Sequence, residues 1–97
     1  MSKLRVSRDA ARDLDEIWIY IAQRGGVEVA QRYIEHLTGT FDSIASMPGI
    51  GRDRRELKSA MRSHSVDDYV VYYRHKKGLL TILHVVHGAR DVTKLFR

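Results

Sequence analysis

The stretch from Tyr69 to His87 limits the possible folds more than any other part of the chain. Tyr69-Val70-Val71-Tyr72-Tyr73-Arg74 is dense in β-branched and aromatic residues, which pack well on a pleated surface. Leu79 to Val86 is nearly all apolar, the pattern of a central strand covered on both faces. Between them His75-Lys76-Lys77-Gly78 reads as a tight turn, with Gly78 supplying a dihedral that other residues disfavour. A largely buried hairpin is predicted. It delivers the segment His87-Gly88-Ala89-Arg90-Asp91-Val92-Thr93-Lys94-Leu95-Phe96-Arg97, which is cationic and carries an aromatic ring near its end.

The upstream half supplies what such a hairpin packs against. Lys3–Val6 has the look of a short first strand. Ser7 is a good N-cap, and Asp9 and Asp13 lie near a helix start, where the dipole favours anions. Ala10, Leu14, Ile17, Trp18 and Ile21 recur at helical spacing, while Asp9, Arg12, Asp13, Glu16 and Gln23 mark the wet face. Gly25-Gly26 ends this helix. A second helix is predicted from Val27 to Ser46, with Ala30, Tyr33, Ile34, Leu37, Phe41, Ile44 and Ala45 as its apolar stripe. It stops at Met47, because the residue before Pro48 avoids the α region. Pro48-Gly49-Ile50-Gly51 is turn chemistry, and the charged run from Arg52 to Lys58 reads as loop. Met61–Val66 is a candidate strand, with Asp67-Asp68 as its turn. The order βααβββ predicts one α+β domain over residues 1–97: an N-terminal strand and a helical hairpin packed on a small antiparallel sheet.

Charge narrows the partners. The net charge is +5, but residues 1–49 carry six Lys/Arg against seven Asp/Glu, and residues 50–97 carry eleven against five. An excess of cations confined to one half points to an anionic partner, either nucleic acid or an acidic protein surface. No apolar run approaches the roughly 20 residues that span a bilayer, and the first residues lack the pattern of a signal peptide. The absence of cysteine excludes a disulfide framework and suits a reducing cytoplasm.

Few residues are arranged for chemistry. The five histidines show no metal-ligand spacing, and neither a metal nor a cofactor is expected. His84 and His87 lie three apart in a strand and so face opposite sides. Ser63, His64 and Ser65 are neighbours in a strand, with no nucleophile elbow, and no phosphate-binding glycine loop is present. The cations remain: Arg52, Arg54, Arg55, Lys58, Arg62, Arg74, Arg90 and Lys94. Guanidinium groups bind phosphate bidentately and equally pair with carboxylates of a protein. Arg54 and Arg55 read as solvated, whereas Arg62 and Arg90 each adjoin a strand that fixes their direction. Tyr69, Tyr72 and Tyr73 read as core or sheet-face packing.

Taken together, Leu14-Asp15-Glu16-Ile17-Trp18-Ile19-Tyr20-Ile21-Ala22, Pro48-Gly49-Ile50-Gly51-Arg52, Met61-Arg62-Ser63, Tyr69-Val70-Val71-Tyr72-Tyr73-Arg74 and Ile82-Leu83-His84-Val85-Val86-His87-Gly88-Ala89-Arg90-Asp91 resemble the ParE branch of the ParE/RelE toxin superfamily. The resemblance covers nearly the whole chain. It implies a toxin of a bacterial type II toxin–antitoxin module, a ParD-like antitoxin of ribbon-helix-helix type that wraps it in a hetero-oligomer, and DNA gyrase as target. The RelE branch implies the alternative, ribosome-dependent cleavage of mRNA. By that resemblance Arg62 and Arg90 match the arginines that serve RelE, while the position of its catalytic tyrosine falls on Phe96. Phenylalanine moves no proton, so the resemblance favours a toxin that acts by binding rather than as an enzyme. Arg62, Arg74, His87, Arg90, Lys94 and Phe96 are the candidates for partner binding or a vestigial active site, and Arg90–Arg97 reads as a docking surface.

Overall fold

The computed structural model describes residues 2–96. Readings that rest on Met1 or Arg97 lie outside the described residues. Strand β1 (Lys3–Val6) leads into helix α1 (Arg8–Gly25) and helix α2 (Val27–Ser46). A 3₁₀ turn at Pro48–Ile50 precedes β2 (Arg52–Asp53), β3 (Met61–Val66), β4 (Tyr69–Lys76) and β5 (Leu79–His87), and a second 3₁₀ turn spans Thr93–Phe96. The sheet order is β1-β5-β4-β3-β2. The βααβββ order of the sequence reading therefore holds, with β2 as a two-residue addition in the segment expected to be loop.

Local chemistry explains the boundaries. The Ser7 side chain accepts from the Ala10 amide at 3.0 Å and caps α1. Gly26, at φ +93°, joins α1 to α2 without an intervening loop. The hairpin turn is tighter than its sequence suggests. Lys76 pairs with Leu79, so β4 continues through His75 and Lys76, and only Lys77 and Gly78 lie outside the ladder. Both have positive φ, 51° and 77°, as the favoured two-residue hairpin turn demands. Lys77→Asn, a residue that tolerates this region better, is expected to raise stability by about 0.5 kcal/mol. A rise of a few degrees in the thermal midpoint would report it, and an unchanged or lower midpoint would contradict it.

The sheet is mixed rather than wholly antiparallel. The helical crossover returns β1 alongside β5 in parallel, with Leu4 opposite Leu80 and Val6 opposite Ile82. One face carries the helices: Ala10, Ile17, Leu37, Phe41 and Ile44 pack on Val66, Val71, Tyr73, Leu80, Ile82 and Val85. The other face is also covered. Met61, Tyr72 and Val86 meet Val92 there, with Leu57, Val70, Leu83, Leu95 and Phe96 around them. The C-terminal segment thus acts as a second layer. A bulge lets β5 serve both layers: Tyr73 faces Ile82 and Tyr72 faces His84, so Leu83 is the extra residue. Beyond it Val85, not His84, continues the helix-side core.

Candidate functional site: a cationic basin beside the C-terminal segment

Three features position the charged side chains. The first is the corner after α2. The Tyr73 hydroxyl accepts from the Gly51 amide at 2.9 Å and donates to the Pro48 carbonyl at 2.7 Å. Tyr73 is fully buried, and burial raises its phenol above the ordinary value, so it remains a donor. Arg62 donates to the Gly51 carbonyl at 2.8 Å. Arg62 lies opposite Tyr73 in the ladder and so shares its face, the helix side of the sheet.

The second feature is a basin of about 630 Å³ on the opposite face, alongside the C-terminal segment. Arg52 and Arg54, from one stretch of chain, and Arg90, from another, reach it over a floor that includes Val70 and Tyr72. Alternation along β2 and its continuation sends Arg52 and Arg54 to one face and Asp53 and Arg55 to the other. Asp53 and Arg55 pair with each other at 3.0 Å. Arg54 is not simply solvated, as its sequence position suggests. Its side chain is 20% exposed, holds Glu56 at 2.8 Å, and lies 5.5 Å from the centre of the Tyr72 ring. The Glu56 bond raises the Arg54 guanidinium further above its usual value.

The third feature is the upper edge of β5. Strand β1 stops at Val6, which leaves backbone groups of β5 without a ladder partner. Ser7 covers the first two: its amide donates to Ile82 at 3.0 Å and its hydroxyl to Leu83 at 3.0 Å. Asp13 takes the next, accepting the Val85 amide at 2.9 Å and the His84 Nδ1–H at 2.8 Å through one oxygen. Asp13 is therefore buried, not on the wet face of α1 as helical periodicity predicted. The Phe96 ring stands edge-on to His84 at 5.4 Å and tilted against Tyr72 at 5.3 Å.

The six sequence candidates do not converge. Arg62 faces the helix side, occupied with Gly51, and Arg74 lies within β4 opposite Met61, two residues before the end of that strand. His87 meets Tyr69 edge-on at 5.9 Å, on the face opposite His84. Arg90 lines the basin and, with Lys94, also a second cleft against Asp9, Asp13 and Glu16 of α1. Phe96 is folded onto the sheet, so the ring expected to be presented to a partner is part of the packing; Arg97 lies outside the described residues. Arg52 and Arg54 are the residues that the sequence reading passed over. Their period-two spacing before a strand was the available signal. Among the described residues no cluster of His, Asp or Glu is grouped to hold a metal ion, and no helix is long and apolar enough to cross a membrane.

Comparison with known proteins accords with this architecture. Residues 4–92 match the family described as ParE toxin of type II toxin-antitoxin system, parDE. Toxin ParE1 of Caulobacter vibrioides is 38% identical over 92 residues, covering 93% of this chain and 96% of that protein. Toxin ParE1 of Mycobacterium tuberculosis is 31% identical over 94 residues, 96% of each chain. A solved chain from the chromosomal ParDE TA system of P. aeruginosa superposes with a TM-score of 0.78 over 90% of this chain and 96% of that one, and at 21% identity it speaks for the fold. With its helical hairpin on a five-stranded sheet and a family match that runs from β1 to Val92, the chain belongs to the ParE toxin family of type II toxin–antitoxin systems.

Proposed function

We propose that this toxin arrests growth in the cytoplasm by binding DNA gyrase, without chemistry of its own, and that a ParD-like ribbon-helix-helix antitoxin neutralises it in a hetero-oligomer. The observation that carries the binding-only reading is Phe96. At the position where the RelE resemblance calls for a proton-transferring tyrosine, a hydroxyl-free ring packs on Tyr72 and His84. The placement of Arg62 supports the same reading, because it faces away from Arg90 and is held by the Gly51 carbonyl. A shallow groove where α1 meets the end of the sheet, lined by Ile17, Tyr20, Tyr69 and Val86 with Glu16 and Arg90, fits an amphipathic segment of an antitoxin.

Induction of the chain alone should stop growth with gyrase-dependent DNA breaks and intact messages, and co-expression of the antitoxin should restore growth. The alternative, an mRNA interferase, draws on the three arginines of the basin. Phe96→Tyr decides between them. Binding alone predicts no message cleavage on translating ribosomes from either protein. Cleavage that Phe96→Tyr raises ten-fold or more would establish the alternative.

A further inference from the structure

We propose that the basin formed by Arg52, Arg54 and Arg90 holds the phosphate backbone of duplex DNA, so that the toxin engages gyrase together with its DNA. The choice of DNA rests on the gyrase reading above; the phosphate chemistry rests on the basin itself.

Three guanidinium groups, Arg52 and Arg54 from β2 and its continuation and Arg90 from beyond β5, meet at one open cavity of about 630 Å³ that Ser63, Ser65 and Thr93 also line. Arg52 and Arg90 have no carboxylate within ion-pair distance among the described residues. The two acids beside the basin are already engaged, while Asp9, Asp13 and Glu16 border Arg90 from the second cleft. Glu56 holds Arg54, and Asp91 accepts from the Thr93 amide at 3.0 Å and hydroxyl at 2.8 Å. Those bonds lower the Asp91 carboxyl below its usual range. Asp91 thus stays ionised in the basin wall, and the three arginines outnumber it and Glu56, which leaves a net positive charge with planar donors suited to phosphate oxygens.

Shape favours a duplex over a single strand. Single-strand recognition uses exposed rings on which bases stack. Here Tyr72 is 5% exposed and capped by Phe96, while Tyr73 is fully buried under the helices. What remains to contact is backbone phosphate, which carries no sequence information.

The test is binding of the purified full chain to a labelled duplex, followed by fluorescence anisotropy across a salt series. Three phosphate contacts predict a slope of about −2.7 in log K against log salt, or about 40-fold weaker binding between roughly 50 and 200 mM. Arg52→Gln and Arg90→Gln should each lower the slope by about 0.9. Arg32→Gln, which removes the same charge from exposed helix α2, should leave it unchanged. Equal effects from all three variants, a salt-independent signal, tighter binding to single-stranded RNA, or preferential capture of polyglutamate would each overturn the proposal. Gyrase inhibition by a chain that does not bind the duplex would also overturn it while sparing the gyrase reading. Duplex binding without gyrase inhibition would overturn the gyrase reading, and the joint engagement with it, while leaving the phosphate-binding basin standing.

Discussion

Gly51→Ala is expected to destabilise the protein by about 3–5 kcal/mol, a large part of the 5–15 kcal/mol that holds a domain of this kind together. The reason is space. Gly51 has φ −77°, open to any residue, but a Cβ there would run into the Tyr73 hydroxyl and stand 2.8 Å from the Ser63 carbonyl oxygen. Overpacking alone costs about 1–3 kcal/mol. Displacing the Tyr73 hydroxyl also breaks its bonds to Gly51 and Pro48, another ~1–3 kcal/mol for a buried group. Tyr73→Phe separates the two terms, because it removes the bonds without the clash and should cost about 2 kcal/mol. Combined with Gly51→Ala it should recover part of the loss, since the hydroxyl obstacle is gone while the Ser63 carbonyl and the Cε1 ring edge of residue 73, each 2.8 Å from the added Cβ, remain. Denaturant midpoints for the three variants measure this cycle. A loss below about 1 kcal/mol for Gly51→Ala, or strict additivity in the double variant, would remove the corner from the account.

That corner was visible in the sequence only as turn chemistry. Pro48, Gly49 and Gly51 mark a turn by composition, but which glycine is required depends on a tyrosine 22 positions away. The helices were legible because their apolar spacing is periodic and their ends carry Ser7, Gly26 and Pro48, each acting locally. The hairpin was legible for the same reason. The parallel entry of β1 was not, since four residues of alternating character fit either direction. Nor was the bulge at Leu83, because the nearly uniform apolar run of β5 carries no alternation to interrupt.

The candidate site was harder to read for a physical reason. Charged residues reveal a site through convergence, and convergence depends on which face each strand residue takes. Arg62 and Arg90 both adjoin strands, yet parity puts Arg62 beside Tyr73 on the helix side. Arg54 looked solvated because its run is so charged, but spacing along β2 turns it inward with Arg52. Phe96 lacks a hydroxyl by its identity alone. Its folding onto Tyr72 and His84 depends on the sheet's second face, which Phe96 covers together with Leu57, Val92 and Leu95.

Asp13→Ala is expected to cost about 3 kcal/mol, although periodicity alone would place the residue in water. One carboxylate oxygen receives both the Val85 amide and His84 Nδ1–H. Alanine leaves a backbone amide and an imidazole, 12% exposed, without their acceptor, and stranded buried donors carry their full desolvation cost. Asp13→Asn keeps an acceptor oxygen and should cost about 1–2 kcal/mol, the difference reflecting the charge-assisted part of the bonds. Asp9→Ala should cost less than about 0.5 kcal/mol, because Asp9 is exposed and 3.7 Å from His84. Amide exchange gives the local readout. Val85 should lose protection in Asp13→Ala beyond what the drop in global stability explains, while amides in α2 should follow the global value. The effect should also reach the C-terminal segment, because His84 supports the Phe96 ring edge-on. A changed Phe96 ring environment by NMR in Asp13→Ala, with the ring unaffected in Asp9→Ala, would link the buried carboxylate of α1 to the placement of Arg90 and Lys94. Unchanged Val85 protection would show that Asp13 is a bystander at that edge and that water serves the β5 backbone instead.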